Sequence, residues 1–225
     1  MLPVSGRAVR SKSPRGGLWV PSGAGGLSEA PGPGEEEPPE EEPAGPPSFV
    51  NGVFLDTFSR PNEAVLAAPY ELTQGTNPYA PLQLVNGKVY QSGPEWCEQV
   101  VLAPQANVRL DLDVEGHDGN SDTGLVLRHQ DRTHQWALRV IGQTLFRLYE
   151  QDTSNFNRAS YSPGSMPAAF TLGLSVVDNV FRGYLNGAQV LTYTKSSFAA
   201  SLRVGVALGG SNPNLRVSRF QITVL

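Results

Sequence analysis

The sequence predicts an all-β fold: a two-sheet antiparallel jelly-roll sandwich preceded by an extended, non-globular N-terminal arm. Three observations carry this. From Phe49 to Leu225 apolar and polar residues alternate almost continuously, the period that puts one face of each strand into a core. Tight-turn pairs such as Asn86-Gly87 and Asn186-Gly187 separate the alternating runs, and no amphipathic helix of useful length intervenes. Residues 1–48 are rich in Pro, Gly and Glu and hold hardly a run able to bury a face.

The arm comes first in the chain. Before Glu29 it has four basic residues, Arg7, Arg10, Lys12 and Arg15, and no acid. From Glu29 to Ser48 it has seven glutamates and no base. Prolines that fix φ and glutamates that repel make residues 35–47 extended and stiff. Leu18, Trp19 and Val20 form the one apolar knot, read as a plug for a pocket on a neighbouring subunit. The expected organisation is therefore an anchoring arm over 1–48 and a β domain over 49–225.

In the body, Val108, Leu110, Leu112 and Val114 fall on one face of a strictly alternating run. Similar runs follow at 124–128, 135–140, 145–149, 170–176, 180–185, 188–193, 203–208 and 216–224. Asp178-Asn179 and Gly142-Gln143 read as two further tight turns. Many short strands without helices between them make a two-sheet sandwich.

Composition narrows the function. The chain outside the arm carries 13 basic and 14 acidic residues, so it has no concentrated basic face for nucleic acid. Cys97 is the only cysteine, which leaves no internal disulfide; beside Trp96 it reads as a small buried apolar residue. No run approaches the length of a membrane span, and the start lacks the apolar region of a secretory signal.

Several short patterns resemble one family. Leu55-Asp-Thr-Phe-Ser-Arg60 is similar to the D-x-F-x-R opening strand of concanavalin A-like, laminin-G-like jelly rolls, and Gly124-Leu-Val-Leu-Arg128 to their G-L-x-x-R strand. The hairpin Val180–Val190 resembles their "yxNG" reversal, and Gly205–Leu208 with Arg219–Ile222 the closing strand pair. The resemblance covers about residues 54–225. It implies the fold and two uses, binding glycans or proteins and building particle surfaces.

Candidate sites follow. Asp111, Asp113 and Glu115 share one strand face in a pattern similar to the E-x-D-x-E of sandwich-type glycoside hydrolases, with Asp111 one methylene short. Such a cleft also wants tryptophans for sugar stacking, and Trp96 and Trp136 are nearest in sequence. Asp118, Asn120 and Asp122 place oxygen donors at alternate positions, a start for a calcium loop that lacks the EF-hand glycine; no other cofactor is expected. His117, His129 and His134 lack metal-ligand spacing and read as structural. Tyr79, Phe156, Tyr161 and Tyr193 are candidate ligand-stacking aromatics in loops, whereas Tyr149 reads as core or edge packing.

The reading is a non-enzymatic virion structural protein, a head-decoration or minor tail protein of a phage. Its arm holds capsid or tail subunits, and its jelly roll displays a face for host glycans on the virion surface. Self-association into a homo-oligomer is part of this expectation. Two alternatives remain, a free extracellular bacterial carbohydrate-binding module and a glycoside hydrolase using Asp111, Asp113 and Glu115.

Overall fold

Alternating β-branched and apolar residues build sixteen strands and, among the described residues, no helix. The computed structural model describes residues 45–73 and 81–225. The chain divides into two units, Met1–Glu41 and Glu42–Leu225. The first unit, with Leu18, Trp19 and Val20, lies outside the described residues, as does Tyr79.

The strands begin with β1 (Phe49–Val50), β2 (Val53–Asp56), β3 (Glu71–Leu72), β4 (Leu82–Val85) and β5 (Lys88–Gln91). Next come β6 (Cys97–Leu102), β7 (Val108–Glu115), β8 (Ser121–Asp131), β9 (His134–Ile141), β10 (Leu145–Asp152) and β11 (Ser154–Tyr161). The last are β12 (Phe170–Val177), β13 (Val180–Leu185), β14 (Ala188–Thr194), β15 (Arg203–Gly210) and β16 (Arg216–Val224). Sheet A runs β1-β2-β16-β7-β12-β13-β14, with the β4–β5 hairpin joined through β5 to β16. Sheet B runs β11-β10-β9-β8-β15-β6-β3. Every pairing is antiparallel, so two antiparallel sheets form the expected sandwich.

The local chemistry of the turns explains the hairpins. Asn86-Gly87 and Asn186-Gly187 both have positive φ at each central residue, the geometry that matches strand twist. Asp178 and Gly142 also sit at positive φ at their turns. Between the sheets lies a core whose largest members are Trp136, Phe54, Phe58, Phe146, Phe181 and Phe220. Trp136 stacks on Phe181 at 4.3 Å across the two sheets. Burying each such side chain contributes about 1.5–3 kcal/mol.

The family-like motifs have physical roles. Asp56 caps the Phe58 N–H at 2.7 Å, receives Arg60 Nη1 on both oxygens and accepts the Tyr70 hydroxyl at 2.9 Å. Arg128, at positive φ, lies 5.1 Å over the Phe181 ring and donates to the Asp178 carbonyl. Cys97 is buried as expected, and burial first of all pushes its thiol up to about 11.

One side of the sandwich is closed by long edge strands, β11 and β14; the other side ends in the two-residue strands β1 and β3. Glu150 fastens the long side. Arg158 and Lys195 each lie 2.7 Å from its Oε2, and Ser197 Oγ donates to Oε1 at 2.5 Å. Burial pushes the Glu150 carboxyl up, but these three hydrogen bonds prevail and hold it below its ordinary value. At Asp131 burial is likewise outweighed, by Thr133 and His134, and the carboxyl is held at about 2.

A carboxylate depressed by folding adds stability that is complete above its unfolded pKa and disappears as pH falls through the folded one. The thermal midpoint should therefore stay level down to about pH 4.5 and fall between there and about pH 2. Circular-dichroism melts across that range test this, with Glu150→Gln expected to shrink the fall. A midpoint unchanged by acid would rule the Glu150 anchor out.

Candidate functional site

On sheet A the carboxylate strand is fully neutralised. The Arg109 guanidinium forks onto Asp111, with Nε at 2.9 Å from Oδ2 and Nη2 at 3.0 Å from Oδ1. Arg219 Nε reaches Asp113 Oδ2 at 2.6 Å, and the Thr171 hydroxyl donates to Oδ1 at 2.7 Å. Lys88 pairs with Glu115. Burial raises the Asp113 carboxyl, but Arg219 and Thr171 outweigh it; the Lys88 hydrogen bond chiefly lowers Glu115. A glycosidic general acid needs a raised pKa, and these two are lowered. The tryptophans are elsewhere: Trp136 is in the core and Trp96 lies on sheet B.

The Asp118–Asp122 loop spends its donors internally. Asp118 Oδ1 accepts the Asn120 N–H at 2.8 Å and the Ser121 hydroxyl at 3.0 Å, closing an Asx turn. Asp122 turns to the outer face of sheet B and pairs with Arg139; burial pushes its carboxyl up against that pull. Among the described residues no three His, Cys, Asp or Glu side chains gather as a metal site.

The aromatics expected in loops lie on strands. Phe156 is on edge strand β11, 41% exposed, with the Arg158 guanidinium 4.7 Å from its ring. Tyr161 ends β11 edge-on to Phe146 at 6.3 Å. Tyr193, on β14, packs against the core with its ring 5.8 Å from Trp136.

A different cluster occupies the outer face of sheet B. Register brings Glu98 beside Ala207, Ala207 beside Gly124, and Gly124 beside Arg139. The Trp96 indole lies on this small-residue floor: a Cβ on Gly124 would meet its Cη2 at 2.5 Å. Arg139 sits 4.1 Å from the Trp96 ring and 5.6 Å from Tyr149. Trp96 Nε1 and Gln135 Nε2 both donate to Glu98 Oε1, at 2.5 and 2.6 Å. Gln135 also donates to Gln151, whose own amide donates to Asn155 at 2.9 Å.

His129 joins the group through a break in register. Strand β8 slips against β9 between Leu127 and Asp131, with Arg128 at positive φ, and His129 Nε2 comes within 3.6 Å of Glu98 Oε2. The histidine read as structural therefore belongs to this nest. Glu98, Gln135 and His129 are 2%, 0% and 3% exposed. Yet Glu98 Oε2, Gln135 Oε1 and both His129 ring nitrogens have no hydrogen-bond partner. Buried polar atoms without partners are costly and rare, so several on touching side chains mark a place prepared for another molecule. A cavity of about 200 Å³, lined by Thr73, Val100, His129, Asp131 and Arg203 among others, opens at His129.

Sequence reasoning missed Glu98, His129, Gln135 and Arg139 as a group. The available signal was Glu98-Gln99, two polar residues inside a strand otherwise apolar from Cys97 to Leu102.

No family model matches this chain, and no curated protein matches it in sequence. Solved structures do match in fold. A Bacillus licheniformis beta-glucanase aligns over 79% of this chain and 100% of its own, with 11% identity and a TM-score of 0.56. A native glycosidic hydrolase aligns over 78% and 97%, with 12% identity and a TM-score of 0.55. The carbohydrate recognition domain of Emp47p aligns over 78% and 96%, with 12% identity and a TM-score of 0.52. Together with the two antiparallel sheets, these likenesses show that the body of the chain has the jelly-roll sandwich fold of these proteins.

Proposed function

We propose that this protein is a glycan-binding module whose ligand lies on the outer face of sheet B. The observation that carries this is the nest of buried polar atoms without hydrogen bonds on Glu98, Gln135 and His129 beside Trp96, with Glu98 Oε2 and His129 Nε2 facing each other at 3.6 Å. Sugar hydroxyls donate and accept at once, which suits a carboxylate, an amide and an imidazole in one group. The half-buried rings of Trp96 and Tyr149, with Arg139 against both, supply apolar edges for a pyranose ring. Catalysis is less well supported, because glycoside hydrolysis commonly uses two carboxylates and the nest holds one, Asp122 being tied to Arg139. Neighbours in fold named for carbohydrate recognition and for glycoside hydrolysis accord with a saccharide ligand. The composition of residues 1–48 supports a tethering arm; a virion surface, with capsid or tail subunits as neighbours, is the setting proposed for it.

The test is a titration of the full chain against laminarin, mannan, xylan and mucin glycopeptides. Trp96→Ala and Glu98→Gln should each weaken binding about tenfold or more, about 1.4 kcal/mol, while Asp111→Asn leaves it unchanged. Retained binding in Trp96→Ala with loss in Asp111→Asn would move the site to sheet A. Reducing sugar released by the wild-type chain would replace binding by catalysis.

A further inference from the structure

A second cavity lies between the short edge strands β1 and β3, sharing only Glu71 with the cavity at His129, and the function proposed above leaves it unused. Its volume is about 490 Å³, within the ordinary range for small-molecule sites. Phe49, Phe54, Tyr70, Pro69, Val101 and Leu102 supply most of its wall. The Phe49 and Tyr70 rings flank Phe54 at 5.5 and 6.1 Å, so one wall is aromatic.

The charge of the lining decides the ligand class. Tyr70 turns its hydroxyl away onto Asp56 at 2.9 Å, and burial above all keeps that hydroxyl protonated, well above its ordinary pKa. Glu71, at the rim, is paired with Arg203 at 3.2 Å. The interior is left mostly apolar, with Ser48 adding a hydroxyl and no unpaired charge. An ionised ligand would lose its hydration there with nothing to replace it, whereas an uncharged one loses little. At the same mouth Leu102 is 61% exposed. An exposed apolar side chain at such an opening is surface that a ligand can cover.

We infer that this cavity is a second ligand site, for an uncharged hydrophobic small molecule with an aromatic or alicyclic body. The site follows from the packing of the edge strands and stands whether or not sheet B binds glycans.

The experiment titrates the full chain with Nile red, an uncharged dye, and follows its emission. Competition by naphthalene and by naphthalene sulfonate, and sedimentation of the same samples, run in parallel. Saturable binding displaced by naphthalene but not by the sulfonate is expected. Ala68→Trp, which fills the cavity from its exposed wall, should weaken the dye about tenfold or more without changing the thermal midpoint. Leu102→Asp, which puts a charge at the mouth, should act in the same direction. Non-saturable dye uptake, or full affinity in both variants, would overturn the site. Equal displacement by the sulfonate would overturn the uncharged class. A doubling of mass that excludes the dye would assign the cavity to a second copy of the chain instead.

Discussion

Asp56→Ala should cost about 3–5 kcal/mol of unfolding free energy, the loss expected when one partner of a buried ion pair is removed. Asp56 is 4% exposed and Arg60 10%, so solvent screens the pair little. The deletion leaves three groups wanting: one end of the Arg60 guanidinium, the Tyr70 hydroxyl and the Phe58 N–H. Phe58 also sits at positive φ, a conformation an aromatic residue rarely adopts unaided, and its N–H bond to Asp56 helps hold it there. Urea unfolding should show a lower midpoint with an unchanged slope. Glu63→Gln is the comparison: it removes the charge of Arg60's second partner at a more exposed position and should cost about 1 kcal/mol. If Asp56→Ala costs no more than Glu63→Gln, the motif is not the clasp described here.

Gly124→Ala should separate the site from the fold. The added methyl would meet Trp96 Cη2 at 2.5 Å and the Leu138 carbonyl at 2.6 Å. The indole must leave, and because the carbonyl belongs to the paired backbone of β9, the β8–β9 pairing must also open by a few tenths of an ångström. Overpacking of this kind costs about 1–3 kcal/mol, which a fold of this size tolerates. With the indole displaced, Glu98 loses a hydrogen bond and Arg139 loses its stacking partner. Glycan affinity should therefore fall about as far as in Trp96→Ala, about tenfold or more. Calorimetry on the folded variant checks this, and unchanged affinity would remove Trp96 from the site.

Much of this architecture could be read in the residues because alternation and turn chemistry are local. Strand β7 shows apolar and polar positions in strict turn, and both Asn-Gly pairs adopt the positive φ that their chemistry allows. Strand β11 could not be read that way. Ser154-Asn-Phe-Asn-Arg-Ala-Ser-Tyr161 is an edge strand with much of both faces in water, and nothing selects for alternation there. The site was illegible for another reason. Glu98 is far in the chain from His129 and Gln135 and meets them through pairing across β6, β15, β8 and β9, helped by a register break at Arg128. The carboxylates at Asp111, Asp113 and Glu115 stood out because they are neighbours in sequence, whereas two of their three cations, Lys88 and Arg219, come from remote strands.

The long edge strands on one side of the sandwich bear on how the molecule behaves in company. Among the described residues β11 pairs only with β10 and β14 only with β13, leaving a row of backbone donors and acceptors on each. Between them they carry one charged side chain, Arg158, and it is turned inward onto Glu150. Acid that protonates Glu150 releases that arginine and loosens the margin at the same time. Crowded, acidified solutions are thus where neighbouring molecules would begin to knit strand to strand, and the seam would start at β11.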